Sequence, residues 1–310
     1  MLGPPCSEHL CAISVARVIE LDAATVLLQW AVGGMLGCWF TTRRREVGIG
    51  YGWLLRGTYL VLALGSAYIG FAQSDPSDAE TVRNAVSAVV AVACLAGLAQ
   101  SVVRRRAGVR GQSAEYDRRS ERIAQMTGIE RDVKADDDSA GPEFAPVLDL
   151  LPVIIGVVGL VAAGVATSDQ GFGTDGVAIA RTVVGAAFLG FVSDAMLLGH
   201  WYLVQPGLPR RHVNDIVRAF LYIWPVEVAV MLLPTGMFSV FSGSVDDGWG
   251  GQLGWFWVAC AVTTGILTWV TLKALQEKAY SAVMAATGLM YLAILTAFGT
   301  DLVARAVLSG

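Results

Sequence analysis

The chain has 310 residues, 55% of them hydrophobic and only 15% charged, with a net charge of −4. A mean hydropathy of +0.57 is not that of a soluble domain of this size, and the charge balance leaves nucleic-acid binding without support. The fold class expected is all-α, a polytopic membrane protein.

Residues 1–20 form an outer N-terminal segment without the basic front, short apolar core and small-residue cleavage site of a removable signal. Cys6 and Cys11 lie in it; their spacing is not a metal or haem-attachment signature, and a structural or idle role is expected. Residues 21–103 carry three apolar stretches, at 21–40, 48–72 and 82–103. Each approaches or exceeds the ~20 residues that cross a hydrocarbon core of ~30 Å. Backbone groups in that layer must pair internally, so the stretches are helices.

Residues 104–145 form a long polar loop with an amphipathic segment at 113–126 and the acidic run Asp136, Asp137, Asp138. It reads as a solvated linker or as a docking surface for membrane or cytoplasmic partner subunits. Residues 146–310 carry five further stretches, at 146–167, 177–204, 213–241, 253–272 and 280–303. The total is eight transmembrane helices.

Basic residues fall on every second connection: Arg43, Arg44 and Arg45, then Arg104 to Arg106 and Arg110, then Arg210 and Arg211, then Lys273 and Lys278. The alternate loops, 74–80, 168–176 and 242–251, have Asp, Gly and Ser but no Lys or Arg. The positive-inside bias makes the basic loops cytoplasmic, which puts the protein in the plasma membrane with both termini outside.

Shifting the chain by 162 positions sets Ala24 on Ala186, Leu27 on Leu189, Gly37 on Gly199, Trp39 on Trp201 and Arg56 on Arg218 without a gap. A duplication of this kind implies two parallel four-helix bundles related by an axis along the membrane normal. Trp39, Phe40, Trp201 and Tyr202 fit an aromatic belt at the cytoplasmic face, and Arg56 and Arg218 are close enough to that face to snorkel. The second half departs from the first where Asp194 replaces Val32, His200 replaces Cys38 and Glu227 replaces Gly65.

At ~1.5 Å per residue, His200 lies at the inner boundary, Asp194 about 9 Å deeper and Glu227 near the bilayer centre. An unpaired charge at that depth costs at least ~2.5 kcal/mol, so Asp194 is expected to pair with Arg218 on the next helix. Glu227, two residues after Pro225, is either a proton-relay element or a partner for the backbone carbonyl the proline frees. Arg181, Asp301 and Arg305 form a second polar group near the outer face. The candidate ligand-binding set is Asp194, His200, Trp201, Tyr202, Arg218 and Glu227, expected to converge on one cavity.

A hydrogen-bonding His, flat aromatic rings and carboxylates are what a quinone headgroup needs, so a quinone is the candidate cofactor. The three histidines, His9, His200 and His212, are badly placed for bis-His haem ligation, and no catalytic or metal motif is present. In architecture alone the chain resembles the eight-span, two-bundle quinol-oxidising anchor subunits of polysulfide reductases, which implies a quinone-interacting subunit of a redox complex. The alternatives are a small secondary transporter or proton or ion pathway built on Asp194, Arg218 and Glu227, and a membrane scaffold or assembly factor without a site. Co-purified quinone would favour the first, and ion flux in liposomes the second.

Overall fold

A computed structural model describes residues 21–107, 143–168, 172–205, 208–234, 236–242, 249–277 and 279–308, together with 117, 118 and 121. The N-terminal segment 1–20, most of the amphipathic stretch 113–126 and the acidic run at 136–138 lie outside the described residues, so the expectations placed on them stay where the sequence left them.

The described residues contain helices and turns and no strand. The helices are α1 (Ala23–Thr42), α2 (Ile49–Ala72), α3 (Asp78–Val103), α4 (Leu150–Ala166), α5 (Phe172–Val204), α6 (Arg211–Leu232), the single turn α7 (Phe238–Phe241), α8 (Gln252–Ala274) and α9 (Tyr280–Leu308). Local chemistry sets several ends. Asp22 caps α1 by accepting from the amides of Ala24 and Thr25, and Ser77 and Glu80 close a reciprocal capping box on α3. A 3-10 turn at Pro146–Asp149, with proline at its start, leads into α4.

Among the described residues seven helices are long and apolar enough to cross a membrane. The eighth expected span needs a correction. The stretch 213–241 was read as one helix, but α6 stops at Leu232; Leu233 is extended, Pro234 follows, and Gly236 takes a left-handed φ of 41°. With Arg211, Asp215, Arg218 and Glu227 in 22 residues, α6 is more polar than the others. It nevertheless traverses the bundle, since its first residues meet Glu46 and the carbonyls at its far end receive Arg181.

The helices close two rings. In the first, α1 packs on α2, α2 on α3, α3 on α4 and α4 on α1; in the second, α5 packs on α6, α6 on α8, α8 on α9 and α9 on α5. The rings join chiefly through α1 and α5, the opening helix of each. Both run the same way, from an acidic end holding Asp22 and Asp175 to a basic end holding Arg43 and Arg44. This is the arrangement of two parallel four-helix bundles.

The joint is glycine-lined. A Cβ on Gly33 would stand 1.6 Å from the carbonyl oxygen of Ala186, and one on Gly190 would stand 2.0 Å from the carbonyl carbon of Gly33. Backbone approach this close needs residues without side chains, and dispersion between the helices replaces the hydrophobic drive that lipid cannot supply. Gln29 donates to the Thr182 carbonyl at 2.7 Å and Trp30 to the Ser193 hydroxyl at 2.8 Å, so polar pairs also hold the joint.

Ion pairs fasten the basic end across the two bundles. Arg44 meets Asp215 at 2.6 Å, and Glu46 accepts from Arg211 at 2.5 Å and from His212 at 2.6 Å. Burial pushes the Glu46 carboxyl up, but the hydrogen bonds from Arg211 and His212 outweigh it and hold the group below its ordinary value of 4.5. A depressed folded-state value means that the contribution to stability is complete above about 4.5 and is lost as pH falls through the lower folded value. The thermal midpoint of the wild type should therefore exceed that of Glu46→Gln near neutral pH. The gap should close on acidification below about 4.5; a gap constant with pH would show that the carboxylate's charge contributes nothing. Because Arg211 is well exposed and Glu46 itself is only partly buried, the gap should be small.

Candidate functional site

The polar interior forms two clusters, one toward each end of the bundle. In the basic half Arg56, only 2% exposed, grips Asp149 with Nε and Nη2 at 2.7 Å each and donates from Nη1 to Ser101 at 3.2 Å. The ring of Phe144 covers its guanidinium at 4.2 Å. A buried pair this well satisfied holds α2, α3 and the start of α4 in register.

Across α1 from that pair lies Asp194, fully buried. Tyr59 donates to one of its oxygens; the other has no hydrogen-bond partner. Gly37 makes room for it, a Cβ there falling 2.3 Å from the Asp194 carboxylate. A half-open cavity lies at the basic end, with Arg56, Arg45, Ser101, Glu143 and Phe144 among its walls.

In the acidic half three polar side chains converge on Gly185. The space a Cβ would occupy there is bounded by Arg305 Nη2, Asp301 Oδ1 and Gln29 Nε2 at 2.5, 2.6 and 3.1 Å. Arg305 Nε donates to both oxygens of Asp301, at 2.9 and 2.8 Å, and Nη2 donates to the Arg181 carbonyl at 2.9 Å. Glu227 has Asp301, Arg305 and Arg181 as its charged neighbours. Both Glu227 oxygens and the Gln29 Oε1 are buried without a donor. One turn beyond Glu227 and Asp301, Met231 and Arg305 line a half-open cavity at the acidic end, with Asp22, Thr25, Arg181 and Thr182 also in its wall.

The six residues singled out in the sequence do not meet in one cavity. Asp194 sits between the bundles and Glu227 in the acidic-half cluster. Arg218 is exposed on α6, so the expected Asp194–Arg218 pair does not form; Tyr59 takes that role because α2 packs against α1 where Asp194 enters. His200 is exposed, its Nδ1 3.4 Å from the Tyr291 hydroxyl. Trp201 donates to Gln205 at 3.0 Å, and Tyr202 donates to the Pro209 carbonyl, so both brace the turn after α5. Glu227 is also shallower than expected. The early stop of α6 leaves it five residues, about 7.5 Å, from the acidic end instead of at the centre, which brings it to Asp301, Arg305 and Arg181.

Sequence reasoning missed Asp149, Tyr59, Gln29 and the Asp22–Arg83 pair. Asp149 carried one signal: an acidic residue at the mouth of an otherwise uncharged stretch. Arg56, read as a snorkelling side chain, is a buried ion-pair partner. No known family model, curated protein or solved structure matches this chain.

Proposed function

We propose that the protein is a small proton-coupled secondary transporter of the plasma membrane, with the basic end cytoplasmic and the acidic end outside. The observation that carries this reading is the Glu227–Asp301 pair: two carboxyl groups, both 0% exposed, one of them without any donor, beneath a cavity at one membrane face. Neighbouring carboxylates in a low-dielectric interior make each other costlier to ionise, so the pair is a place that can take up a proton. Asp194, with one oxygen unpartnered, is a second carboxyl group of the same kind in the opposite half. Intramembrane carboxyl groups with this placement mark proton and ion pathways.

The quinone-linked reading receives less support, because Trp201 and Tyr202 bond to Gln205 and Pro209 and the carboxyl groups lie elsewhere. His200 and Tyr291 alone remain as a polar contact on the exposed face. Purified protein in liposomes with an entrapped pH-sensitive dye tests the proposal. Proton movement under an imposed gradient should fall by on the order of a hundredfold in Glu227→Gln, the usual contribution of one positioned proton donor. Equal rates in wild type, variant and protein-free liposomes would remove the reading.

A further inference from the structure

The cavity at the acidic end indicates what moves with the proton. Its wall brings together two guanidinium groups, Arg181 and Arg305, and one carboxylate, Asp22. Asp22 is held by Arg83, which also donates to Thr25 at 3.2 Å and to Gln73 at 2.7 Å. Arg305 is matched by Asp301 through two hydrogen bonds. Counting opposite charges in contact, Arg83 cancels Asp22 and Arg305 cancels Asp301. Arg181 and Glu227 are left.

Among the described residues Arg181 donates only to the carbonyls of Val230 and Leu233, at the end of α6, and no described carboxylate forms a salt bridge with it. Glu227 is packed among Asp301 and Arg305 on α9 and Arg181 on α5; α8 offers only Lys273, at the opposite end. With Glu227 ionised the group of six charges sums to zero. With Glu227 protonated, one positive charge is left uncompensated beside the cavity.

We infer that the cavity between α1, α5, α6 and α9 binds a small monocarboxylate through Arg181 and the outer face of Arg305, one proton on Glu227 accompanying each anion. The apolar part of the wall, Leu21, Val26, Met231 and Ala304, suits a short hydrocarbon tail, and the polar part carries the headgroup. A cation would meet two guanidinium groups there. A neutral amide would gain nothing from the uncompensated charge. The inference rests on the proton-handling reading, because the proton on Glu227 is what makes room for the anion's charge.

Calorimetry on the purified full-length protein in detergent, with butyrate as the probe and butyramide and butylammonium as neutral and cationic controls, tests it. Butyrate should bind with affinity that rises about tenfold for each pH unit of acidification across the titration of Glu227, the slope that linkage requires when one proton is taken up. Titrations in two buffers of different ionisation enthalpy should show one proton taken up per anion. Glu227→Gln, which replaces an unpartnered carboxyl with a neutral amide, should bind butyrate at neutral pH as the wild type does in acid, and without proton uptake. Arg181→Gln should lose binding in a protein that still folds, since its bonds reach only carbonyls at the bundle end.

Butyrate binding without proton uptake, equal affinity for butyramide, preference for butylammonium or no binding at all would each overturn the inference. Proton uptake with butyrate by a protein that moves no protons in liposomes would sustain the site and discard transport.

Discussion

Arg56→Met, with Asp149 left in place, should lower stability by about 3–5 kcal/mol, the usual penalty for stranding one member of a buried ion pair. The reason is geometric. Asp149 is 0% exposed, and its two oxygens receive Arg56 Nε and Nη2; among the described residues the other neighbour at bonding range is the Cys38 thiol, at 3.9 Å. Methionine fills most of the arginine stem but supplies no donor, and Ser101 and Phe144 lose the group they pack on. Asp149→Asn is the milder lesion, since the amide keeps an acceptor for the guanidinium. The double change Arg56→Met with Asp149→Leu removes both charges and should recover much of the loss, because an apolar pair of similar volume is commonly neutral or better than a buried ion pair. Thermal midpoint and the folded fraction on size exclusion in detergent report all three. If the single and double variants are equally impaired, the pair's role is packing and not charge compensation.

The two-bundle layout was legible because it is written in long-range features of the chain: apolar stretches of membrane length, basic residues on alternate loops and the correspondence of Gly37 with Gly199 and Trp39 with Trp201. Such features survive averaging over many residues. The polar interior was not, because each of its contacts depends on the rotation of a helix by a fraction of a turn. Arg56 illustrates the point. Its depth suits a snorkelling side chain as well as a buried one; only the rotation of α2 toward α4, which brings Asp149 within 2.7 Å, decides between them. Glu227 shows a second limit. Its level was reckoned from a helix assumed to continue to Phe241, and the break at Pro234 shifts it toward the acidic end. Arg181, Asp301 and Arg305 were read as a group from depth alone, and they do assemble, because three charged residues at one level in an apolar bundle have few partners except each other.

Gly33→Ala should be among the most damaging single-methyl additions in the chain, at about 3 kcal/mol or more, the upper range for overpacking. The added carbon would lie 1.6 Å from the Ala186 carbonyl oxygen. That atom belongs to the backbone of α5, so no rotamer change relieves the overlap, and the helices must separate. Separation undoes the Gln29–Thr182 and Trp30–Ser193 hydrogen bonds and loosens the wall between Asp194 and Gly37, so both polar clusters are disturbed by a change that touches neither. Gly190→Ala acts on the same joint, its Cβ meeting the Gly33 backbone at 2.0 Å, and should behave alike. Gly57→Ala is the internal comparison: nothing lies within 4 Å of its Cβ, and an alanine in mid-helix is worth about 0.5–1 kcal/mol over glycine. The two classes should therefore move the thermal midpoint in opposite directions. A Gly33→Ala protein as stable as wild type, with proton movement intact, would show that α1 and α5 do not meet at these glycines and would remove the joint on which the placement of Asp194 and Gln29 depends.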